Sequence, residues 1–290
     1  MIWISESSVG ICHTMRVEDC PAVCISLDRR PDRWTAFKAT ADAAGLPVRR
    51  LPAVDAQAFT EPAHQHPGIS LLTAHNVFYS QRRSHYEIDV PGAIGASLSH
   101  FKAWESLLQS PPSVPAILVF EDDCALPVDI RSRLALILAT LPAEGWDMIQ
   151  FQNTRFAGGE TGCEPAPPDV APPPWKVCKS LMGAHAYMIS REGAQKMLAR
   201  AYPIELHVDA YMAFMSRLGY IRMLWHPLLD IQPPDGSDTD IGHGMGSILN
   251  VPTRMETKGV VMLESREVIG LLAVAAIVGA AVALAYCPRK

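Results

Sequence analysis

The chain is 290 residues long, 49% hydrophobic and 19% charged. That composition excludes a disordered or fibrous protein and leaves room for one large domain or two small ones. Lys and Arg number 25 against 30 Asp and Glu, a formal charge of −5, so there is no basic excess to follow a phosphate backbone and nucleic acid is not an expected partner.

Residues 1–20 read as a polar, irregular segment without the basic start or long apolar stretch of a signal peptide. A strand is predicted over Ala22–Leu27. A helix then opens at Arg30-Pro31-Asp32, with Trp34, Phe37, Ala41 and Ala44 at helical spacing and Gly45 beyond its end. Val48–Leu51 reads as a second strand, giving the strand–helix–strand order of an α/β domain. Residues 56–90, polar and rich in His and Gln, read as a surface excursion. Ile94–Gln109 is predicted helical, with Leu98, Phe101, Trp104 and Leu108 on one face.

Ala116–Phe120 (AILVF) is a short unbroken apolar run, the mark of a strand buried on both faces. Ile130–Leu141 follows as helix and Asp147–Phe151 as strand. Residues 158–174 hold six prolines, which makes them an extended loop and excludes helix or central strand. That loop is either a passive insertion or a lid. Strand Ala184–Ser190, helices Arg191–Ala201 and Val208–Leu218, and strand Ile221–Trp225 complete a domain over residues 21–250, and residues 251–267 form a linker.

Val268–Cys287 contains 20 residues without a charge. As a helix it is about 30 Å long, the thickness of a bilayer core, and it lacks the polar face of a core helix. It reads as a single-pass membrane anchor with small residues suited to helix packing, and the simplest topology leaves the preceding domain cytoplasmic. The seven Cys are irregularly spaced and make neither a zinc site around Cys20 and Cys24 nor a disulfide framework. The thiols read as mostly reduced, with Cys163 and Cys178 a candidate exception.

Five segments carry candidate chemistry. Glu121-Asp122-Asp123 directly follows a buried strand, where three adjacent carboxylates need a cation or donors to neutralise them. Open α/β sheets bind ligands at such strand ends, and hard oxygen ligands suit Mg²⁺ or Mn²⁺ bridging to phosphate. An acidic surface turn is the plainer alternative. Ser26 to Arg33 brings three arginines to a strand–helix junction, where they pair either with phosphate or with neighbouring acids. Gly92 to His100 is a glycine-containing helix entry bearing Ser99 and His100; His100 either contacts a phosphate or sugar or is a satisfied structural residue. Asp209 is either a helix N-cap or a general base. His243, in a loop after residue 234, could complete a metal site from afar.

Taken together, VCISLDRRPDRW, LPAVDA, GAIGASLSHFKAW, ILVFEDDCAL, WDMIQF, GAHAYMISREGAQKML and PIELHVDAYM, in that order over residues 20–245, resemble glycosyltransferase family 25. This is the family of lipopolysaccharide-biosynthesis and collagen hydroxylysine galactosyltransferases. The resemblance implies an α/β, GT-A-like (Rossmann-like) fold, a nucleotide-sugar donor such as UDP-galactose, Mn²⁺ or Mg²⁺, and transfer with inversion to a glycan, lipid-linked or protein acceptor. By the same resemblance Glu121 and Asp123 are metal ligands and Asp122 a diphosphate contact. Ser26, Leu27, Arg29, Arg33, Val54, Asp55, Ser99 and His100 line the donor pocket, and Asp209, with Asp123, carries catalysis. His243 as a third ligand follows from the general logic of such folds. Ala96 stands where the family pattern has Cys. The membrane segment also departs from it and argues against a luminal collagen-modifying role. The rivals are a catalytically inactive sugar-nucleotide-binding or scaffold protein and, less well matched, a glycosidase, since three acids after one strand cannot face each other across a sugar.

Overall fold

A computed structural model describes residues 15–142, 144–152, 162–179 and 181–231, together with the backbone of 256–257 and 260–261. The predicted membrane segment, most of the linker and His243 lie outside the described residues. The strands in chain order are β1 (Ala22–Ser26), β2 (Val48–Pro52), β3 (Ala116–Glu121), β4 (Met148–Gln150), β5 (Cys163–Pro165), β6 (Lys176–Cys178), β7 (Ala186–Ser190) and β8 (Met223–Trp225). They form one mixed sheet in the order β2-β1-β3-β7-β4-β8-β6-β5. The pairs β1–β2, β1–β3 and β4–β8 are parallel, and β7 lies antiparallel between β3 and β4. Consequently β1, β2, β3, β4 and β8 all end at the same edge of the sheet. A separate short antiparallel pair joins Glu256–Thr257 to Val260–Val261.

The helices are α1 (Pro31–Ala43), α2 (Leu71–Tyr79), α3 (Pro91–Gln109), α4 (Ile130–Thr140), α5 (Arg191–Leu198) and α6 (Val208–Arg217). Alternation along β3 shows why they lie on both faces. Ile117 and Val119 pack with Phe101, Trp104, Met197 and Met212 of α3, α5 and α6, whereas Leu118 and Phe120 pack with Phe37, Ile130 and Leu134 of α1 and α4. A strand buried on both faces has to be apolar throughout, as AILVF is. The result is a three-layer α/β/α domain of Rossmann-like character.

Most sequence expectations for the elements match to within one to three residues. Three differ. Residues 56–90 contain α2, and Val77 and Ile88 of this stretch belong to the core. The helix carries no apolar stripe because its buried face is largely polar: Thr73 Oγ1 donates to the Ile204 carbonyl at 2.9 Å and Asn76 Nδ2 to Glu87 at 3.1 Å, while Leu71 and Phe78 are exposed. The Pro-rich stretch supplies the edge strand β5, where Pro165 is tolerated because an edge position needs fewer donors. β5 is joined to β6 by the Cys163–Cys178 disulfide. Finally, Val17 and Cys20, expected in an irregular leader, pack into the core beside α1 and α4. Among the described residues, no helix is long and apolar enough to cross a membrane.

Candidate functional site

A cavity of about 440 Å³ opens at the carboxyl edge of β1, β2 and β3. Ser26, Leu27, Arg29, Arg33, Val54, Asp55, Ser99, His100 and the three acids Glu121 to Asp123 all line it. These groups come from four separate stretches of chain, which the parallel pairing of β1 with both neighbours brings to one rim. Asp209 is absent from this wall, and His243 lies outside the described residues.

The exit from β2 is fixed from below. Ser99 Oγ accepts the Val54 N–H at 2.8 Å and donates to the Gly95 carbonyl at 2.7 Å. A Cβ on Gly95 would stand 2.6 Å from the Val54 carbonyl oxygen, so only glycine lets α3 approach this loop. Asp55 then accepts from Gln57 N–H at 2.9 Å and pairs with Arg29 at 2.9 Å, which holds that guanidinium at the rim. Of the three arginines in the junction, Arg30 pairs with Asp32 at 3.0 Å and is not part of the cavity wall.

The acids line the cavity, but they are also paired. Arg33 bridges two of them, Nε to Asp122 Oδ1 and Nη2 to Asp123 Oδ2, each at 2.9 Å. Glu121 Oε1 lies 3.0 Å from His100 Nε2. Burial acts to raise the Glu121 pKa, but the hydrogen bond from His100, with the Arg33 charge nearby, outweighs it and holds the carboxyl below its ordinary value. Burial, then the neighbouring Glu121 charge, pushes Asp123 up to about 6 despite Arg33. Burial also raises Asp122. Beneath the acids, the buried thiols of Cys24 and Cys124 are driven well above their ordinary pKa by burial and by those same charges.

One acceptor is left over. Asp123 Oδ1 is buried without a hydrogen-bond partner, which suits a bound cation. Among the described residues no three His, Cys, Asp or Glu side chains converge on a metal position. A dication would therefore rest on one or two carboxylates, with the ligand's phosphate oxygens and water completing its shell, which is the usual manner of Mg²⁺. On these grounds the residues fit such an ion.

Asp209 sits further along the same edge. It is the second residue of α6, whose N-cap is His207 rather than Asp209 itself. Its carboxylate accepts the Gly183 N–H at 3.3 Å and the Ala210 N–H at 2.7 Å. Gly183 in turn is bonded through its carbonyl to Gln150 at the end of β4, at 3.1 Å. With two strand steps between β3 and β4, the Asp209 region lies about 10 Å along the edge from the acids. A buried group of Arg82, Asp89 and His207 backs it. Burial lowers the His207 pKa, and because a guanidinium only donates, its Nε2 accepts from Arg82 Nη1 at 3.1 Å. Gln150 and Arg82 leave no mark in the sequence pattern, because a buried polar residue is recognisable only from its partners.

The cavity, lined by arginines and carboxylates, lies at the ends of the parallel strands of a mixed, Rossmann-like α/β sheet, the place where open α/β sheets bind ligands. A family model described as "Glycosyltransferase family 25 (LPS biosynthesis protein)" matches residues 20–163, which contain the whole cavity wall. The human protein named "Inactive glycosyltransferase 25 family member 3" is 30% identical over 196 residues, covering 66% of this chain and 31% of that protein. Proteins named "Glycosyltransferase 25 family member" from Aedes aegypti and Drosophila pseudoobscura pseudoobscura are each 28% identical, over 201 and 200 residues. Those alignments cover 66% of this chain and 30% and 29% of the relatives. The chain belongs to glycosyltransferase family 25, and its matched part spans about a third of the length of these relatives.

Proposed function

We propose that this protein is a hexosyltransferase that takes a sugar, galactose in the first instance, from a UDP-sugar to a hydroxyl of a glycan, lipid-linked or protein acceptor. The observation that carries the reading is the convergence of the donor-side residues on one cavity, whose acids include a buried carboxylate oxygen, Asp123 Oδ1, without a hydrogen-bond partner. In this GT-A-like arrangement, Arg29 and Arg33 offer bidentate donors to the diphosphate, and the Val54–Asp55 turn meets the nucleoside. Glu121 and Asp123 would hold Mn²⁺ or Mg²⁺, with His243 a candidate third ligand. That ion, when bound, neutralises charge growing on the leaving diphosphate. Asp209 takes the proton of the acceptor hydroxyl while its oxygen bonds to the anomeric carbon. The bond from that carbon to the diphosphate oxygen breaks on the opposite face, with inversion.

A second reading is favoured by one observation. Arg33 already occupies both Asp122 and Asp123, as it would in a protein that binds a sugar nucleotide without turning it over, and four relatives are named inactive or probable inactive. Hydrolysis and transfer assays over a panel of UDP-sugars, with and without Mn²⁺, separate the two. The transferase reading expects metal-dependent turnover that Asp123→Ala abolishes. UDP binding with no turnover of any donor selects the second reading, and full activity of Asp123→Ala overturns the first.

For the molecule's setting, we propose that the uncharged segment 268–287 anchors it in a membrane. The Cys163–Cys178 disulfide favours an oxidising face for the domain over the cytoplasmic one expected from topology alone.

A further inference from the structure

Behind the cavity-lining pair His100 and Glu121 lie two buried polar groups, Tyr187 and Trp104, that the donor-site reading does not use. Trp104 Nε1 lies 2.8 Å from Tyr187 Oη, Tyr187 Oη lies 2.9 Å from His100 Nδ1, and His100 Nε2 lies 3.0 Å from Glu121 Oε1. Trp104, Tyr187 and His100 are each at most 1% exposed, whereas the Glu121 side chain is 28% exposed. The series thus meets the cavity at the Glu121 carboxylate and at His100, which lines the wall beside it.

The direction of each hydrogen bond follows from chemistry. An indole N–H only donates, so Tyr187 Oη accepts from Trp104. The Tyr187 O–H is then free to donate, and the acceptor in reach is His100 Nδ1. A neutral imidazole that accepts at Nδ1 carries its proton at Nε2, facing the Glu121 carboxylate, which can only accept. Every member is satisfied by this one arrangement. The opposite tautomer sets the Nε2 lone pair against the carboxylate oxygen and leaves the Tyr187 proton without an acceptor.

We propose that Tyr187 is a positioning residue for donor binding: through His100 it fixes the Nε2–H tautomer that holds the Glu121 carboxylate in one orientation at the cavity wall. The proposal rests on the donor-site reading for its consequence, but not for its geometry. Tyr187 belongs to β7, His100 to α3 and Glu121 to the end of β3, so the relay also ties the helix entry to the strand end on which that carboxylate is carried.

Nitrogen-15 NMR of the wild-type protein without ligand, at a pH where the ring is neutral, should show His100 protonated at Nε2 and bare at Nδ1. Tyr187→Phe keeps the ring and removes the hydroxyl, so the His100 signals should move toward a mixture of tautomers. UDP affinity, measured by calorimetry with Mn²⁺, should weaken about tenfold, the scale of a lost hydrogen bond acting on a charged group. Gln at position 100 carries its own N–H toward Glu121 without needing Tyr187. In a His100→Gln background, adding Tyr187→Phe should therefore change the UDP constant by less than about twofold. An Nδ1–H tautomer in the wild type overturns the proposal, even should Tyr187→Phe fail to fold. Equal weakening by Tyr187→Phe in both backgrounds, the mark of a purely structural role, overturns it as well. The functional reading fails separately, when wild-type protein with the stated tautomer binds no UDP; the relay then has no donor to serve and its proposed role falls too.

Discussion

Asp123 is a carboxylate whose ionised form its surroundings disfavour. Burial and the Glu121 charge hold its pKa at about 6, above the ordinary value of 3.8. A group whose folded pKa is raised stabilises the fold only while protonated, so that support is lost as pH rises from the unfolded value through about 6. Asp123→Asn removes the charge and keeps the shape. We predict that the ligand-free variant melts about 2–4 °C above wild type at neutral to mildly alkaline pH, and that the gap shrinks toward about pH 5. Thermal scans across that range test this, and a gap that widens on acidification would contradict the assignment. The same substitution should abolish the stabilisation that UDP with Mn²⁺ gives the wild type, which links the strain in the free site to its use. Arg33 does not remove this strain: it engages Asp123 Oδ2 and leaves Oδ1 bare.

Two close junctions hold elements together, and the first of them carries the site. The first is the contact of α3 with the exit of β2, where Gly95 admits the Val54 carbonyl. Gly95→Ala places a methyl 2.6 Å from that oxygen, and since both partners are backbone, one element has to move. Overpacking of this kind destabilises by about 1–3 kcal/mol. We predict a lowered melting temperature together with weakened UDP binding, because the displaced loop carries Asp55 and its partner Arg29. Unchanged UDP affinity would separate the loop from the donor. The second junction is the Cys163–Cys178 cross-link, which closes a loop of sequence separation 15 at the sheet edge. Converting both cysteines to serine should lower stability by about 3 kcal/mol on the chain-entropy account of a loop this short. Turnover at low temperature should survive, since neither residue lines the cavity. Denaturant titration with and without reductant checks it.

How far these elements could be read from the chain depends on which forces made them. β3 and α3 were legible because burial alone shaped them, and apolar runs and helical spacing record burial directly. The cavity residues were legible as well: charged groups clustered at strand ends need a reason to be there, and the paired strands supply a common rim. α2 was not legible, since it buries Thr73 and Asn76 against carbonyl and carboxylate partners more than a hundred residues away or across a turn. The Glu121–His100 pairing likewise joins residues that sequence spacing leaves unrelated. The Asp209 N-cap was misplaced by two residues, as local propensity marks a helix start only approximately.

At the scale of the whole molecule, the proposed membrane anchor raises the question of which side the domain faces, and two features of the chain pull in different directions. An uncharged stretch of 20 residues at 268–287, about 30 Å as a helix, is long enough to span a bilayer core. Such an anchor inserted on its own would leave the domain in the cytoplasm. A cross-link between β5 and β6, however, does not persist where thiols are kept reduced, while the buried thiols Cys20, Cys24 and Cys124 are compatible with either side. We give the disulfide the greater weight, because orientation rules read from flanking charges are weak here, with Arg266 before the span and Arg289 and Lys290 after it. The full chain should then remain in the membrane fraction after alkaline carbonate extraction, and alkylation of the denatured protein without reductant should spare Cys163 and Cys178. Protease added to the cytoplasmic side of sealed membranes should leave the domain intact. Digestion of the domain from that side, with both cysteines alkylated, would place it in the cytoplasm with the pair reduced, and β5 would then be held at the sheet edge only by its pairing with β6.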